Sequence, residues 1–341
     1  MEVAHMSTRT LRTAVIGVGH LGTYHARIHA ANPRCELVGV VDIREEQRDA
    51  LAAECGCAGF ADASELPDDL DAVSVVVPTQ FHADVAVPLL ERGVACLVEK
   101  PLAGDLESAD RILAAAKQGG ATLSVGHVER FQPGLRRVKE MGIEPRFIEC
   151  HRLAPFSFRS MDVGVVHDLM IHDLDLILHL IDSEVESVDA AGGAILTDHE
   201  DLASVRLVFM NGARANITAS RASMESMRRF RLFSSQGYVS LDFNKNYGLS
   251  IEKGPEWEEG REALRTLDPT ELAKRQDWLQ EKVLKVNELE LGGEERPLQA
   301  EIDAFLEAVQ NGTAPEVSGE DGRRALALAD RIRDAIASQS F

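Results

Sequence analysis

The sequence is short of aromatic and basic side chains, and it lacks an apolar run of transmembrane length. Aromatic residues make up 5% of the 341 residues, and 36 Lys and Arg stand against 56 Asp and Glu, for a formal net charge of −20. This charge repels a phosphate backbone and argues against nucleic acid as a partner. Because neither a membrane-spanning run nor an N-terminal export signal is visible, we expect a cytoplasmic protein without a membrane partner.

Cysteine is also scarce and occurs in an odd number. The spacing of the five cysteines is not that of a zinc site, and Cys55-Gly56-Cys57 is too close for the usual Cys-x-x-Cys pair. We therefore predict reduced thiols and no metal. The hydrophobic share of 45% and the charged share of 27% are ordinary for a globular protein, and the length favours two domains.

Residues 13–31 predict a short apolar strand, a glycine-rich turn and a helix in succession. The turn reads G-x-G-x-x-G. Its first glycine permits a tight turn, its second lets the backbone approach a pyrophosphate, and its third lets the helix pack close to the strand. The free N–H groups at the start of the helix favour a phosphate. We predict that this turn binds a dinucleotide through Gly17, Gly19, His20, Leu21 and Gly22.

An acidic residue stands where such a site requires one. Asp42 ends a second apolar strand, residues 36–41, and lies twenty residues after Gly22. A carboxylate at this position binds the 2′-hydroxyl of the adenine ribose and repels a 2′-phosphate, so the pattern predicts NAD rather than NADP as the cofactor. Arg44, two residues further on, would soften that preference and is predicted to lie in the same site.

The remaining pattern predicts two domains of different class. Residues 11–127 alternate strands and helices, which predicts a Rossmann-like, doubly wound parallel sheet. Its carboxyl edge should carry Pro78, Thr79 and His82 as further cofactor-binding residues. Residues 128–341 are rich in alternating strands and predict an α+β domain with a large open, mostly antiparallel sheet, whose uncovered apolar face would associate with another copy. We expect residues 1–127 to form the NAD-binding domain, with residues 1–10 as a disordered leader.

Two groups of residues carry candidate chemistry. The first is Glu99-Lys100-Pro101, directly after a predicted strand. Pro101 favours an extended backbone at Lys100 and ends the strand there, which holds the lysine at the cofactor edge of the sheet. Glu99 is expected to line the nicotinamide side. The alternative for Lys100 is an ordinary surface lysine before a turn.

The second group is Asp168 and His172. They are four residues apart, so on a helix they share one face, and the carboxylate can orient an imidazole that accepts a proton. A metal site that adds His167 and His179 is the alternative, but no further carboxylate aligns with both residues. A solvated helix start is another alternative, more credible for Asp173.

Together, the glycine turn, Asp42, Glu99-Lys100-Pro101 and Asp168-x-x-x-His172 resemble the Gfo/Idh/MocA family of oxidoreductases. The resemblance covers nearly the whole chain. It implies a Rossmann domain followed by an α/β domain whose open sheet often forms the oligomer interface, and we expect a homodimer or homotetramer. It also implies that Lys100 and His172 are the catalytic pair and that Asp168 assists catalysis or binds substrate. Residues 163–167 depart from the glycine-rich stretch of many members, which changes the local pocket wall.

Two further stretches, residues 125–133 and 152–159, resemble family members that oxidise the 3-hydroxyl of UDP-N-acetylglucosamine-type sugars. A diphosphate needs guanidinium partners, and the candidate substrate-binding residues here are His127, Arg130, Arg152 and Arg159. The alternative for each arginine is a local ion pair at the surface. The expected function is NAD-dependent dehydrogenation of such a nucleotide sugar. A dehydrogenase of a free polyol or sugar, a non-catalytic NAD-sensing regulator and a glycosidase that uses NAD transiently are the alternatives.

Overall fold

The computed structural model describes residues 9–157, 163–291 and 296–339. The contacts of the chain define two units. The first comprises residues 1–131 and 295–328, and the second comprises residues 132–294 and 329–341. Residues 1–8 of the predicted leader, residues 1–10, lie outside the described residues, as does the candidate Arg159. Arg9, which is described, forms an ion pair with Asp71 at 2.8 Å. None of the helices in these described ranges combines the length and the hydrophobicity of a membrane span.

The first unit contains a six-stranded parallel sheet in the order β3-β2-β1-β4-β5-β6. Its strands are β1 (Leu11–Ile16), β2 (Cys35–Val41), β3 (Ala58–Phe60), β4 (Ala72–Val75), β5 (Ala95–Glu99) and β6 (Leu123–Gly126). Its helices α1 (His20–Ala31), α2 (Glu45–Cys55), α3 (His82–Glu91) and α4 (Leu106–Gly119) alternate with them. The strand order reverses between β1 and β4, which is the place where such sheets bind ligands. The predicted doubly wound fold is confirmed.

Burial explains why these segments form central strands. Every residue of β4 and β5 is buried, as expected for parallel strands that helices cover on both faces. Glu99 is the one charged residue among them, and it ends β5. Short 3₁₀ turns, Thr79–Phe81 and Val128–Phe131, follow β4 and β6. These turns lie at the carboxyl edge of the sheet, next to the candidate site.

The second unit is organised around an eight-stranded sheet in the order β14-β13-β12-β11-β7-β10-β9-β8. Its strands are β7 (Phe147–Leu153), β8 (Val185–Gly193), β9 (Leu202–Phe209), β10 (Arg214–Ser220), β11 (Met227–Phe233), β12 (Gly237–Asp242), β13 (Tyr247–Lys253) and β14 (Leu284–Glu290). Only β7 and β10 pair in parallel. Its helices are α5 (Pro133–Glu140), α6 (Ile171–Leu180), α7 (Trp257–Thr266), α8 (Pro269–Ala273) and α9 (Gln276–Trp278). The large, mostly antiparallel sheet is as predicted.

The two faces of this sheet differ in composition. Ile148, Ala215 and Phe230 point to the face that packs into the core, where α6 lies. The opposite face carries the Arg231–Glu149 ion pair and an aromatic group of Phe147, Phe233 and Tyr238. The Phe233 ring lies 5.6 Å from the Phe147 ring and 4.8 Å from the Tyr238 ring. Cross-strand ion pairs therefore interrupt the apolar character expected of the open face, and its role as an association surface stays a prediction.

Two helices close the chain, α10 (Pro297–Asn311) and α11 (Gly319–Ala337). Ile302, Phe305 and Leu306 of α10 pack against Leu11 and Leu97 in the core of the first unit. The predicted division, with residues 128–341 as one domain, differs from this arrangement. Residues 295–328 cluster with the first unit because the apolar stripe of α10 completes the core of that unit, a pairing that local periodicity does not reveal.

All five cysteines are free. Cys35, Cys96 and Cys150 are buried and Cys55 and Cys57 are half-buried. Burial raises the pKa of Cys57 to about 11 and raises that of Cys96 and Cys150 as well. Thiols in such surroundings are poor nucleophiles, so the cysteines offer no catalytic group.

Candidate active site

The glycine turn has the geometry that a dinucleotide requires. Gly17 has φ +90°, and a Cβ atom there would lie 2.6 Å from the Val76 carbonyl oxygen. A Cβ at Gly22 would lie 1.8 Å from the Gly17 oxygen, so helix α1 approaches the strand only because that atom is missing. At Gly19 the nearest atom would be Arg44 Nη2 at 3.9 Å, which leaves the side of the turn open. His20 and Leu21 are exposed in the first turn of α1. The turn thus fits the pyrophosphate of NAD.

Asp42 is bound to this turn. Its Oδ2 accepts a hydrogen bond from the Val18 N–H at 2.8 Å, and the Arg44 guanidinium contacts both carboxylate oxygens at 2.9 Å. Burial raises the pKa of Asp42, but the hydrogen bonds from Arg44 and Val18 outweigh it and hold the pKa at about 2. The carboxylate is therefore ionised and lies where the adenine ribose is expected, with half-exposed Arg44 beside it.

Glu99 and Lys100 end strand β5 at the same edge of the sheet. Glu99 is buried, and its Oε1 lies 3.1 Å from His25 Nε2. Its Oε2 accepts a hydrogen bond from the Lys100 backbone N–H at 3.2 Å. The protein itself therefore engages both carboxylate oxygens, and the expected role of Glu99 as a lining of the nicotinamide site stays a prediction. Lys100 is half-buried, and its peptide bond to Pro101 is cis.

His82 does not present its ring to a cofactor. It is buried, with Nε2 2.9 Å from the Val77 carbonyl oxygen and Nδ1 3.0 Å from the Pro101 carbonyl oxygen. The ring therefore connects the end of β4 to the turn after Lys100, which corrects the prediction of a cofactor-binding imidazole. Pro78 and Thr79 lie in the loop after β4, at the carboxyl edge of the sheet, and their predicted role is unchanged.

Asp168 and His172 lie at an irregular helix start in the second unit. Asp168 belongs to a π-helical turn, Val166–Met170, and His172 lies in the first turn of α6. Both side chains are half-buried. A π turn is wider than the regular helix that the sequence predicted, and such turns are frequent at functional sites.

The segment before this turn is fixed by a group of residues that the sequence analysis missed. The Val165 N–H donates to the Glu200 carbonyl oxygen at 2.9 Å, and Arg221 donates to the Val163 carbonyl oxygen. Arg221 Nε lies 3.3 Å from Asp201 Oδ1, and Asp201 is fully buried. The one sequence signal for this group is the acidic pair just before strand β9. Together these contacts hold the backbone that leads into Asp168.

Protonation of Asp201 at low pH should lower the free energy of unfolding. Burial raises its pKa, but hydrogen bonds from the backbone N–H groups of residues 195–197 outweigh this and hold the pKa at about 2, against 3.8 ordinarily. Because the folded pKa is depressed, the stabilisation is complete above about pH 4 and is lost as the pH falls towards 2. We expect Asp201→Asn to cost about 2 kcal/mol at neutral pH and less in acid.

Urea denaturation across this pH range measures that effect. Asp198→Asn, in the same loop and exposed, is the matched control and should change the free energy of unfolding by less than about 0.5 kcal/mol. A difference between wild type and Asp201→Asn that stays constant down to about pH 2 would contradict the assignment.

Two of the predicted substrate arginines are engaged within their own units. Arg152 forms a bidentate ion pair with Asp173, with both distances at 2.8 Å, and both residues are buried. Arg130 is buried as well, 3.3 Å from Asp321 and from the Glu316 carbonyl oxygen. The alternative of an ion pair therefore holds for both arginines, but each pair is buried, and its partner lies far along the chain or on another element. The alternative of a solvated helix start does not hold for Asp173, which is one half of the buried pair with Arg152.

The other predicted site residues are divided between the two units, and within each unit they lie close together along one sheet edge or one helical segment. The first unit brings the glycine turn, Asp42 and Lys100 to the carboxyl edge of one parallel sheet, where β6 also ends before buried His127. The second unit carries Asp168 and His172 on one helical segment. In the described ranges, no group of three or more His, Cys, Asp or Glu side chains could hold a metal ion.

Two family models match the chain. The model described as "Oxidoreductase family, NAD-binding Rossmann fold" matches residues 11–127, and the "GFO/IDH/MocA C-terminal domain" matches residues 144–240. The chain belongs to the Gfo/Idh/MocA family. It is therefore an oxidoreductase whose cofactor is NAD, in agreement with the glycine turn and Asp42.

Relatives within the Gfo/Idh/MocA family are similar over almost the whole chain. UDP-N-acetylglucosamine 3-dehydrogenase from Acidithiobacillus ferrooxidans is 38% identical, over 96% of this chain and 97% of that protein. A solved structure of that enzyme has a TM-score of 0.84 at 36% identity and covers 97% of this chain and 99% of its own. Inositol 2-dehydrogenase from Rhizobium meliloti is 28% identical over 97% and 98% of the two chains.

Proposed function

We propose that this oxidoreductase dehydrogenates a nucleotide sugar at the 3-hydroxyl of a UDP-N-acetylglucosamine-type substrate. The observation that carries the proposal is the 38% identity to a UDP-N-acetylglucosamine 3-dehydrogenase over nearly the full length of both chains. Lys100 at the carboxyl edge of the parallel sheet and His172 in the first turn of α6, directly after the π-helical turn, supply groups suited to this chemistry. Cytoplasmic location is part of the same proposal.

The roles follow from the chemistry of the side chains. His172 accepts the proton of the substrate hydroxyl, as a neutral imidazole can. Lys100 donates a hydrogen bond to the same oxygen and stabilises the alkoxide that develops there. Asp168 orients the imidazole or the sugar. NAD, when bound, supplies the acceptor for the hydride that leaves the carbon. Gly17, Gly22 and Asp42 would hold the NAD pyrophosphate and ribose, because these residues leave the room and the charge that such groups need.

The buried arginines favour a second candidate, a dehydrogenase of a free polyol. Arg130 and Arg152 are engaged in internal ion pairs, which leaves fewer groups for a diphosphate. An inositol 2-dehydrogenase is similar over the whole chain. NAD reduction measured with UDP-N-acetylglucosamine, free N-acetylglucosamine and myo-inositol separates the candidates. Turnover with the first alone supports the proposal, whereas turnover with myo-inositol alone contradicts it.

Arg44 should weaken the discrimination against NADP. Its guanidinium stands beside the turn at Gly19 and neutralises part of the charge of Asp42, the residue that a 2′-phosphate would approach. We expect wild type to bind NAD more tightly than NADP, and Arg44→Ala to widen that preference about tenfold because a charge-assisted contact is lost.

Calorimetric titration of both cofactors into wild type, Arg44→Ala and Arg48→Ala checks this expectation. Arg48 is paired with Asp49 on helix α2 and serves as the matched control. Equal affinities for NAD and NADP in Arg44→Ala would contradict the role of Asp42.

We also propose that the chain assembles as a homodimer or homotetramer through the open face of the eight-stranded sheet. The aromatic group of Phe147, Phe233 and Tyr238 supports this surface, since it lies half-buried amid charged pairs. Light scattering at micromolar concentration should give twice or four times the chain mass, and Phe233→Glu should lower it. A monomeric wild type at that concentration contradicts the proposal.

A further inference from the structure

A buried carboxylate ends an otherwise apolar strand. The other residues of β5, Ala95 to Val98, are apolar and buried, whereas Glu99 places an acid in the same interior. A carboxylate removed from water costs several kcal/mol unless it is hydrogen-bonded and paired, and apolar residues of similar volume are often the more stable choice. The acid at this position therefore indicates a purpose other than packing.

The surroundings of Glu99 are built to hold it as an anion. Oε1 faces His25 Nε2 at 3.1 Å, and Oε2 accepts the Lys100 backbone N–H at 3.2 Å. The neighbouring strand contributes Gly126, where a Cβ would lie 2.9 Å from Oε2. Burial raises the pKa of Glu99. The hydrogen bond from His25 and the charges of His25 and Lys100 lower the pKa by more than burial raises it, so the net shift is downward.

We propose that His25 is a positioning residue for Lys100 that acts through the Glu99 carboxylate. This inference rests on the proposed function, in which Lys100 contacts the reacting oxygen. His25 donates from Nε2 and fixes the carboxylate, because a carboxylate can only accept. The carboxylate in turn fixes the backbone of Lys100, and its negative charge favours the ammonium form that donates to an alkoxide.

The far side of Lys100 is fixed independently. His82 contacts the Pro101 carbonyl oxygen at 3.0 Å, directly after the lysine. Lys100 is thus held between two buried imidazoles, one acting on the residue before it and one on the residue after it. Such positioning should have a large effect on kcat, because a displacement of about 1 Å at a reacting group can lower the rate about 10²-fold.

A second buried histidine on the same helix supplies the matched control. His29 lies one turn after His25 and is equally inaccessible, but its ring faces Thr13 Oγ1 at 3.1 Å and Ser74 Oγ at 3.0 Å. Burial lowers the pKa of His29 to about 3, so it is neutral. Replacing either histidine with Leu removes a buried imidazole from α1, but only the change at His25 removes a partner of Glu99.

The test compares His25→Leu, His25→Gln and His29→Leu, with NAD and UDP-N-acetylglucosamine as the probes. We expect kcat of His25→Leu to fall about 10- to 100-fold with the Kd of NAD unchanged. His25→Gln, whose amide also donates, should recover most of this loss. His29→Leu should lose thermal stability but keep kcat within about twofold of wild type per folded molecule.

A second readout needs neither cofactor nor turnover. Acetylation of Lys100 by acetic anhydride, followed by peptide mass spectrometry at a fixed mildly alkaline pH, reports the fraction of neutral amine. Glu99→Gln should raise the acetylation rate of Lys100 severalfold and lower kcat. If His25→Leu does not fold, the Glu99→Gln variant provides the test. The proposal is overturned if a folded His25 or Glu99 variant has the same kcat and the same Lys100 acetylation rate as His29→Leu. Wild-type turnover by Lys100→Met would instead overturn the proposed function.

Discussion

Lys100→Met and His172→Ala should each lower kcat strongly and leave the Kd of NAD nearly unchanged. Loss of a positioned base typically costs about 10²–10⁴-fold, and loss of a donor to a developing alkoxide costs about 10²–10³-fold. The double variant should lose much less than the product of the two factors, because both side chains serve one step. A histidine base must be neutral to accept the proton, so His172→Ala should lack the acid limb of the kcat/KM profile.

Matched substitutions separate catalysis from folding. Lys117→Met removes an exposed lysine on α4, and His179→Ala removes a half-buried histidine from the same helix as His172. Both controls should keep kcat within a few-fold of wild type per folded molecule. Steady-state kinetics with circular dichroism and thermal melts makes the comparison. If His172→Ala folds normally and turns over UDP-N-acetylglucosamine at the wild-type rate, the base assignment is wrong and His127 becomes the next candidate.

The glycine turn could be predicted because its constraints are local. Gly17 needs a positive φ, and Gly22 needs the absence of a Cβ where α1 crosses the turn, so each position selects glycine by itself. Asp42 follows at a spacing that the strand and helix between them fix. Strand alternation in the second unit is local in the same sense, and the open, mostly antiparallel sheet follows from it.

The partners of buried charges could not be predicted in this way. Arg130 meets Asp321 only because the chain returns to the first unit after the eight-stranded sheet, and the sequence gives no local sign of that return. The π turn at Asp168 likewise depends on the backbone contacts of Val165 with Glu200 and not on periodicity. Long-range pairing therefore decided which of the predicted arginines and acids remained candidates for substrate.

The largest loss of stability should come from breaking the buried pair of Arg152 and Asp173. Asp173→Ala leaves the buried guanidinium of Arg152, whose side chain is 10% exposed, without its carboxylate partner. Removing one partner of a buried ion pair typically costs about 3–5 kcal/mol, since the remaining charge is neither solvated nor compensated. Urea denaturation should show this loss as a lower midpoint with an unchanged slope. Glu140→Ala, which breaks the exposed pair with Arg137, should cost at most about 0.5 kcal/mol.

A double variant decides what this buried pair does. Arg152→Met with Asp173→Leu removes both charges and should restore most of the free energy of unfolding, because apolar residues of similar volume replace buried ion pairs at little cost. Asp173 directly follows His172, and its bidentate contact fixes the rotation of α6 against β7. We therefore expect the stable double variant to keep a kcat reduced about tenfold or more. If the double variant recovers both stability and kcat, the pair serves neither orientation nor catalysis. If the free energy of unfolding of Asp173→Ala lies within about 1 kcal/mol of wild type, the burial argument itself is contradicted.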